Sequence, residues 1–164
     1  MEKDELIYQF HDTGLLTTAM THSSYANEHR DQHIQNNERL EFLGDSILGL
    51  VSADYVFHRY PHVPEGQLTK LRAAVVCEQT LYEVAKELGL DHLLRLGRGE
   101  ENGGGRKRPS ILADSVEALI GAIYLDGGMD AAKRHILRFI PSDPEEEEPI
   151  GFQDYKTQLQ EVIQ

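Results

Sequence analysis

The chain has a single cysteine, Cys77, which excludes both a disulfide framework and a zinc cluster built on cysteines. That economy fits a reducing cytoplasm. Basic residues are scarce as well: 16 Lys and Arg stand against 28 Asp and Glu, for a formal charge of −12. This is the wrong sign for a chain held to a polyanion by bulk charge. Apolar residues never run on for the ~18 positions that a membrane span requires. Met1-Glu2-Lys3-Asp4-Glu5 is too charged to open a signal peptide. The expectation is a soluble cytoplasmic protein with no membrane attachment. No stretch alternates with period two for long enough to make a convincing strand. Gly103-Gly104-Gly105 lacks the lysine and hydroxyl of a nucleotide-cradling loop, so it is expected to be a flexible turn, and no organic cofactor is implied. Cys77 adjoins an apolar run and is expected to pack in the core rather than act as a nucleophile.

What remains is helical periodicity. A chain of 164 residues with 40% hydrophobic content can form one domain, burying ~70% of its unfolded surface. Asp4 to Phe10 reads as a short amphipathic helix, Leu15 to Met20 leads into hydroxyls suited to capping the next turn, and Asn27 to Asn36 reads as a loop. The longest periodic segment runs from about Asn37 to Tyr60 and stops at Pro61. Pro64-Glu65-Gly66 opens another helix, and Leu81 to Leu88 forms one ended by Gly89. Gly97 to Arg108, rich in glycine, is expected to be a mobile connection. Ser110 to Leu125 and Met129 to Ile140 complete an all-α fold over residues 1–140. Residues 141–151, with four consecutive glutamates, read as a solvated linker, and 152–164 begin a further helical pattern.

Two of these helices carry acids inside apolar stretches. At about 100° per residue, Glu38, Glu41 and Asp45 fall within an arc of roughly 60°, and Asp114 and Glu117 share a flank in the same way. The expected apolar stripes, Leu40, Leu43, Ile47 and Leu50 on one helix and Val116, Leu119, Ile120 and Ile123 on the other, lie beside the acids. If the stripes pack together, the carboxylates face one another. Gly44 and Gly121 favour a close approach. Carboxylates converging in a partly dry site must take up protons or bind a hard cation such as Mg²⁺. Taken singly, either acidic pair would be an ordinary solvated face. Phe42 projects off the stripe beside the acids, as an exposed aromatic at an interface would.

The segment Asn37-Glu38-Arg39-Leu40-Glu41-Phe42-Leu43-Gly44-Asp45-Ser46 resembles the signature of the ribonuclease III family of double-stranded-RNA endonucleases. Its supporting segments also appear here in order: Thr21-His22-Ser23-Ser24, Leu68-Thr69-Lys70-Leu71-Arg72, and Ala113-Asp114-Ser115-Val116-Glu117-Ala118-Leu119-Ile120-Gly121-Ala122. The resemblance covers roughly residues 1–140. Asp154 to Glu161 resembles the first helix of the RNA-binding domain that follows the nuclease in bacterial members, which implies a truncated module.

By this resemblance Glu41, Asp45, Asp114 and Glu117 are the metal-binding acids, with Asp45 and Glu117 most directly catalytic, and Glu38 and Glu65 shape the cleavage site. It implies Mg²⁺, with Mn²⁺ as a substitute, and hydrolysis to 5′-phosphate and 3′-hydroxyl ends with short 3′ overhangs, as in ribosomal-RNA precursor processing. A homodimer, with Phe42 docked in a pocket of the second subunit, is also implied. A-form duplexes are met through phosphates and 2′-hydroxyls, which makes Lys70, Arg72, Arg106, Lys107 and Arg108 candidate contacts. His22 could orient a carboxylate, although a capping or core role is the simpler expectation. Two other enzyme classes fit less well. All-α nucleoside-triphosphate pyrophosphohydrolases place their second acidic pair much sooner, and di-iron bundles need Glu-x-x-His pairs that are absent. A non-cutting domain of the same fold, binding RNA or only dimerising, would be expected to have lost catalytic acids.

Overall fold

A computed structural model describes residues 8–140, and their architecture is helical. In chain order the helices are α1 (Thr13–Ala19), α2 (Ser23–Glu28), α3 (Glu38–Arg59), α4 (Glu65–Val76), α5 (Glu78–Glu87), α6 (Leu90–Leu93), α7 (Arg98–Asn102) and α8 (Pro109–Leu137). Short 3₁₀ turns occupy Arg30–Gln32 and Gly105–Lys107. Among the described residues the only β-type pairing is an isolated bridge between Thr21 and Arg95. The expected linker at 141–151 and the helix at 152–164 lie outside the described residues, as does most of the expected helix at Asp4 to Phe10. Its last three residues, Tyr8 to Phe10, are not helical.

The long helices α3 and α8 form the central pair, with α4 and α5 packed along them. The two helices approach at Gly44 and Gly121. A Cβ built on Gly44 would lie 2.6 Å from the carbonyl carbon of Glu117 and closer still to its oxygen, and one on Gly121 would lie 3.2 Å from the carbonyl carbon of Leu40. Because backbone meets backbone here, the buried seam of α3 runs through Leu40, Gly44, Ile47, Leu48 and Val51. This corrects the expected stripe: Leu43 is only half-buried and Leu50 is 59% exposed. Contact centred on a glycine turns the helix by about one residue relative to a stripe centred on its leucines. The α8 stripe is buried as expected, with Val116, Leu119, Ile120 and Ile123 in the core. Gly128, at φ 82°, interrupts α8, a conformation that a side chain would strain. The break lets Ala131, Ala132, His135 and Ile136 fold back into the same core.

Two further expectations are overturned. Cys77 is exposed at the α4–α5 junction, because α4 ends and α5 begins there, and its thiol is turned to the Ala74 carbonyl and the Thr80 hydroxyl. The glycine-rich segment 97–108 forms α7 and a 3₁₀ turn rather than an open connection. Arg106 is the reason. Its guanidinium donates to both carboxylate oxygens of Glu101, at 2.9 and 3.0 Å, and to the carbonyls of Asp91 and Leu94, at 2.6 and 2.8 Å. Arg108 pairs with Glu100. At the other end of the domain, the Asp126 carboxylate accepts from the backbone N–H groups of His11 and Asp12, tying the approach to α1 onto α8.

Candidate metal centre

The start of α3 is fixed before any acid appears on it. Buried Asn37 donates its amide to the Ala19 carbonyl at 3.1 Å and its backbone N–H to the Thr21 carbonyl at 2.9 Å. The Asn36 side chain then accepts the Glu38 N–H, satisfying a free donor of the first turn. From that anchored end, Glu41 and Asp45 point along one flank while Gly44 lies against the Glu117 carbonyl. On α8, Asp114 and Glu117 are one turn apart between the buried residues Ala113, Ser115, Val116 and Ala118. The seam therefore brings the two acidic flanks into register.

One carboxylate oxygen from each of Glu41, Asp114 and Glu117 lies within 4.8 Å of the others. Asp45, more exposed, lies close enough for its charge to act on Glu117. The electrostatic consequence is severe. Burial, followed by the charges of Asp45, Asp114 and Glu41, pushes the Glu117 carboxyl up to about 8, and every influence on it acts in the same direction. Burial also raises Glu41, reinforced by Asp114, Glu38 and Asp45. Asp114 is raised by burial and by Glu78, with His22 acting in opposition. Half-buried and crowded together, these acids are each biased toward the protonated form. They form a set of hard oxygen donors suited to a divalent cation.

Of the remaining expected site residues, Glu38 is exposed at the rim and acts on Glu41 through its field. Glu65 is not part of the converging group. It is exposed in the first turn of α4, where its carboxylate accepts the Thr69 hydroxyl at 2.6 Å. Lys70, Arg72 and Lys107 are exposed, whereas Arg106 and Arg108 are engaged with carboxylates and carbonyls of their own segment. Phe42 is 79% exposed and does not pack under a neighbouring helix of its own chain. It borders a groove of about 900 Å³ lined also by Leu15, Ile34, Leu40, Leu43 and Leu125. Glu78 was not anticipated. An acid in the first turn of α5 has an ordinary role beside the helix dipole, and only the fold carries it near Asp114.

Residues 12–143 match the model of a family described as Ribonuclease-III-like, which spans most of the chain. The chain belongs to the ribonuclease III family. The Ribonuclease 3 of Listeria welshimeri serovar 6b is 49% identical over 157 residues, covering 96% of this chain and 69% of that protein. The Ribonuclease 3 of Symbiobacterium thermophilum is 52% identical over 162 residues, covering 98% and 68%. Two solved structures of the ribonuclease III nuclease domain from Campylobacter jejuni align with TM-scores of 0.77 and 0.78. They are 45% and 42% identical, covering 84% and 89% of this chain and 92% and 95% of theirs. The first of them concerns flexibility in a region involved in dimer formation of that domain. Family membership makes this chain a ribonuclease III endoribonuclease with the all-helical nuclease fold. It also sets aside the pyrophosphohydrolase and di-iron classes. Among the described residues, no helix is long and apolar enough to cross a membrane.

Proposed function

We propose that this ribonuclease III hydrolyses phosphodiester bonds of double-stranded RNA with Mg²⁺ held by Glu41, Asp45, Asp114 and Glu117, leaving 5′-phosphate and 3′-hydroxyl ends with short 3′ overhangs. The observation that carries it is the convergence of Glu41, Asp114 and Glu117 across the α3–α8 seam. Mn²⁺ would fit the same oxygen donors. When bound, the metal supplies a Lewis acid that lowers the pKa of a coordinated water and offsets charge on the phosphodiester.

The chain's own contribution is geometry and charge. Glu117, whose carboxyl burial and the neighbouring acids raise to about 8, would hold the cation as a carboxylate, so metal binding would be coupled to release of a proton. Asp45, whose charge acts on Glu117, offers a further carboxylate at the edge of the centre. Glu38 and Glu65 lie outside the converging group and shape the approach to it. Exposed Lys70, Arg72 and Lys107 meet the duplex backbone. Arg106 and Arg108 hold segment 97–108 in form, so their contribution to RNA is indirect. A homodimer, with Phe42 of each protomer inserted beside the groove of the other, would set two such centres against antiparallel strands. Ribosomal-RNA precursors in the cytoplasm are the natural class of substrate.

The test is incubation with a long RNA duplex and with its single strand at low salt, with Mg²⁺ or chelator, alongside Glu117→Gln. Cleavage confined to the duplex, dependent on Mg²⁺ and absent in Glu117→Gln, is expected. Cleavage in chelator would refute the metal assignment. A folded chain that cuts neither RNA would be a domain that only binds or dimerises.

A further inference from the structure

We propose that Asn37 is a positioning residue: its buried side-chain amide ties the start of α3 to the end of α1 and thereby sets where Glu41 stands against Asp114 and Glu117. This rests on the reading of those three acids as a metal centre.

The crossing at Gly44 and Gly121 brings α3 and α8 close, but a contact without side chains has no ridge seated in a groove to stop one helix sliding along the other. A slide of one residue would carry Glu41 about 1.5 Å along the seam. That is a large step for oxygens that converge within 4.8 Å. Asn37 supplies the stop. It is the N-cap of α3, where an asparagine ordinarily turns its side chain back onto an N–H of its own first turn. Here it makes no such bond, and the Asn36 side chain accepts the Glu38 N–H instead. The Asn37 amide, in a residue only 4% exposed, is directed across to the Ala19 carbonyl, which ends α1 and has no partner within that helix. The receiving segment is itself held fast. The Thr21 hydroxyl donates to the Thr17 carbonyl at 2.6 Å, the Arg95 N–H to the Met20 carbonyl at 2.8 Å, and the His22 N–H to the Arg95 carbonyl at 3.1 Å. On its other side, the Asn37 carbonyl accepts the Glu41 N–H at 2.9 Å, so a single helical turn separates the anchor from the acid. α1 is in turn packed on α8, and Asp126 fastens the approach to α1 by accepting the N–H groups of His11 and Asp12. α1 is therefore a common reference for both acid-bearing helices: Asn37 fixes α3 against it, and Asp126 fixes α8.

Positioning is separated from helix capping by Asn37→Ser, since serine caps a helix as well as asparagine but is too short to reach Ala19. It is separated from general loss of stability by Ile136→Ala, which opens the core beyond the Gly128 break and lowers the melting temperature by at least as much. The readout is Mn²⁺ binding to the intact chain by calorimetry without RNA, well below both melting temperatures. Asn37→Ser is expected to bind Mn²⁺ about tenfold more weakly or worse, the loss typical when ligands lose their orientation. Ile136→Ala is expected to stay within about threefold of the wild type, well inside that loss. Unchanged Mn²⁺ affinity in Asn37→Ser, or an equal loss in Ile136→Ala, overturns the proposal. Should Asn37→Ser fail to fold, Asp126→Ala decides. It releases α1 from α8 roughly 13 Å along the helix from Glu117, farther than the ~8 Å over which its lost charge would act at physiological salt. Weakened Mn²⁺ binding there supports the common reference, and unchanged binding refutes it. Glu117→Gln serves as the control. Binding lost in Glu117→Gln but kept in Asn37→Ser removes the role of Asn37 alone, whereas binding kept in both removes the metal centre itself.

Discussion

Replacing Gly44 with alanine is the most direct test of how the α3–α8 crossing builds the site. The added methyl group would lie 2.6 Å from the Glu117 carbonyl carbon, where carbon atoms in contact normally stand about 3.5–4.0 Å apart. The helices must therefore separate by about 1 Å or more. The obstacle is backbone, which cannot rotate aside, so the cost belongs at the upper end of the overpacking range, about 3 kcal/mol. For a domain of this size that corresponds to a melting temperature lower by about 10 °C. The catalytic cost is larger in proportion, because Glu41 and Asp45 ride on one helix while Asp114 and Glu117 ride on the other. A displacement of 1 Å in a positioned site costs about 100-fold in rate. Gly49→Ala supplies the comparison, since a Cβ at Gly49 meets nothing within 4 Å. It should stabilise α3 by up to about 1 kcal/mol through helix propensity alone. Scanning calorimetry and duplex cleavage on the three proteins decide the matter. A Gly44→Ala protein that melts and cleaves like the wild type would refute the close crossing as the origin of the site.

Other consequences concern charge and surface. Glu117 has a folded-state pKa raised to about 8, so the folded state binds more protons than the unfolded state between about pH 4.5 and 8, and metal-free stability falls as pH rises through that window. Glu117→Gln without metal should therefore gain stability at pH 8, on the order of 1 kcal/mol after allowing for solvent screening, measured by urea midpoints; no gain would contradict the crowding of the acids. His135 behaves oppositely. It is 3% exposed with neither ring nitrogen hydrogen-bonded, and burial lowers it to about 4. The unfolded state then binds the extra proton, and about 3 kcal/mol of stability, full above about pH 6.5, is lost by pH 4. His135→Leu should flatten that part of the urea–pH profile. Phe42→Ala should leave the fold intact, because the ring is 79% exposed. Sedimentation should show a dimer weakened by at least about 30-fold, the effect of losing a central aromatic anchor.

Much of the site could be read from the chain because a helix converts spacing into direction. Once Glu38 to Ser46 and Asp114 to Gly121 are helical, the acids of each segment must share a flank, and the two glycines mark where side chains do not keep the backbones apart. What spacing could not supply was the rotation of α3. The expected stripe through Leu43 and Leu50 gave way to one through Gly44 and Leu48, because the contact forms where bulk is missing. Segment 97–108 was illegible for a similar reason. Its glycines suggested mobility, while the four bonds that order it come from the long side chain of Arg106, two reaching the Glu101 carboxylate and two the carbonyls of residues 91 and 94. Cys77 was misplaced because an apolar neighbourhood in sequence ended at a helix junction that faces solvent.

The sequence alone therefore determined the helical class, the pairing of acids on two helices, the donor chemistry suited to a hard cation and the family. The first three are local properties, set by periodicity and residue type, and the family rests on the resemblance carried by Asn37 to Ser46 and its partner segments. Tertiary structure decided which acids converge, how far burial raises Glu117, and that Glu78 and His22 act on Asp114 from α5 and from the cap of α2. Those effects depend on distances between segments far apart in the chain, and on the low polarity that only a packed interior creates.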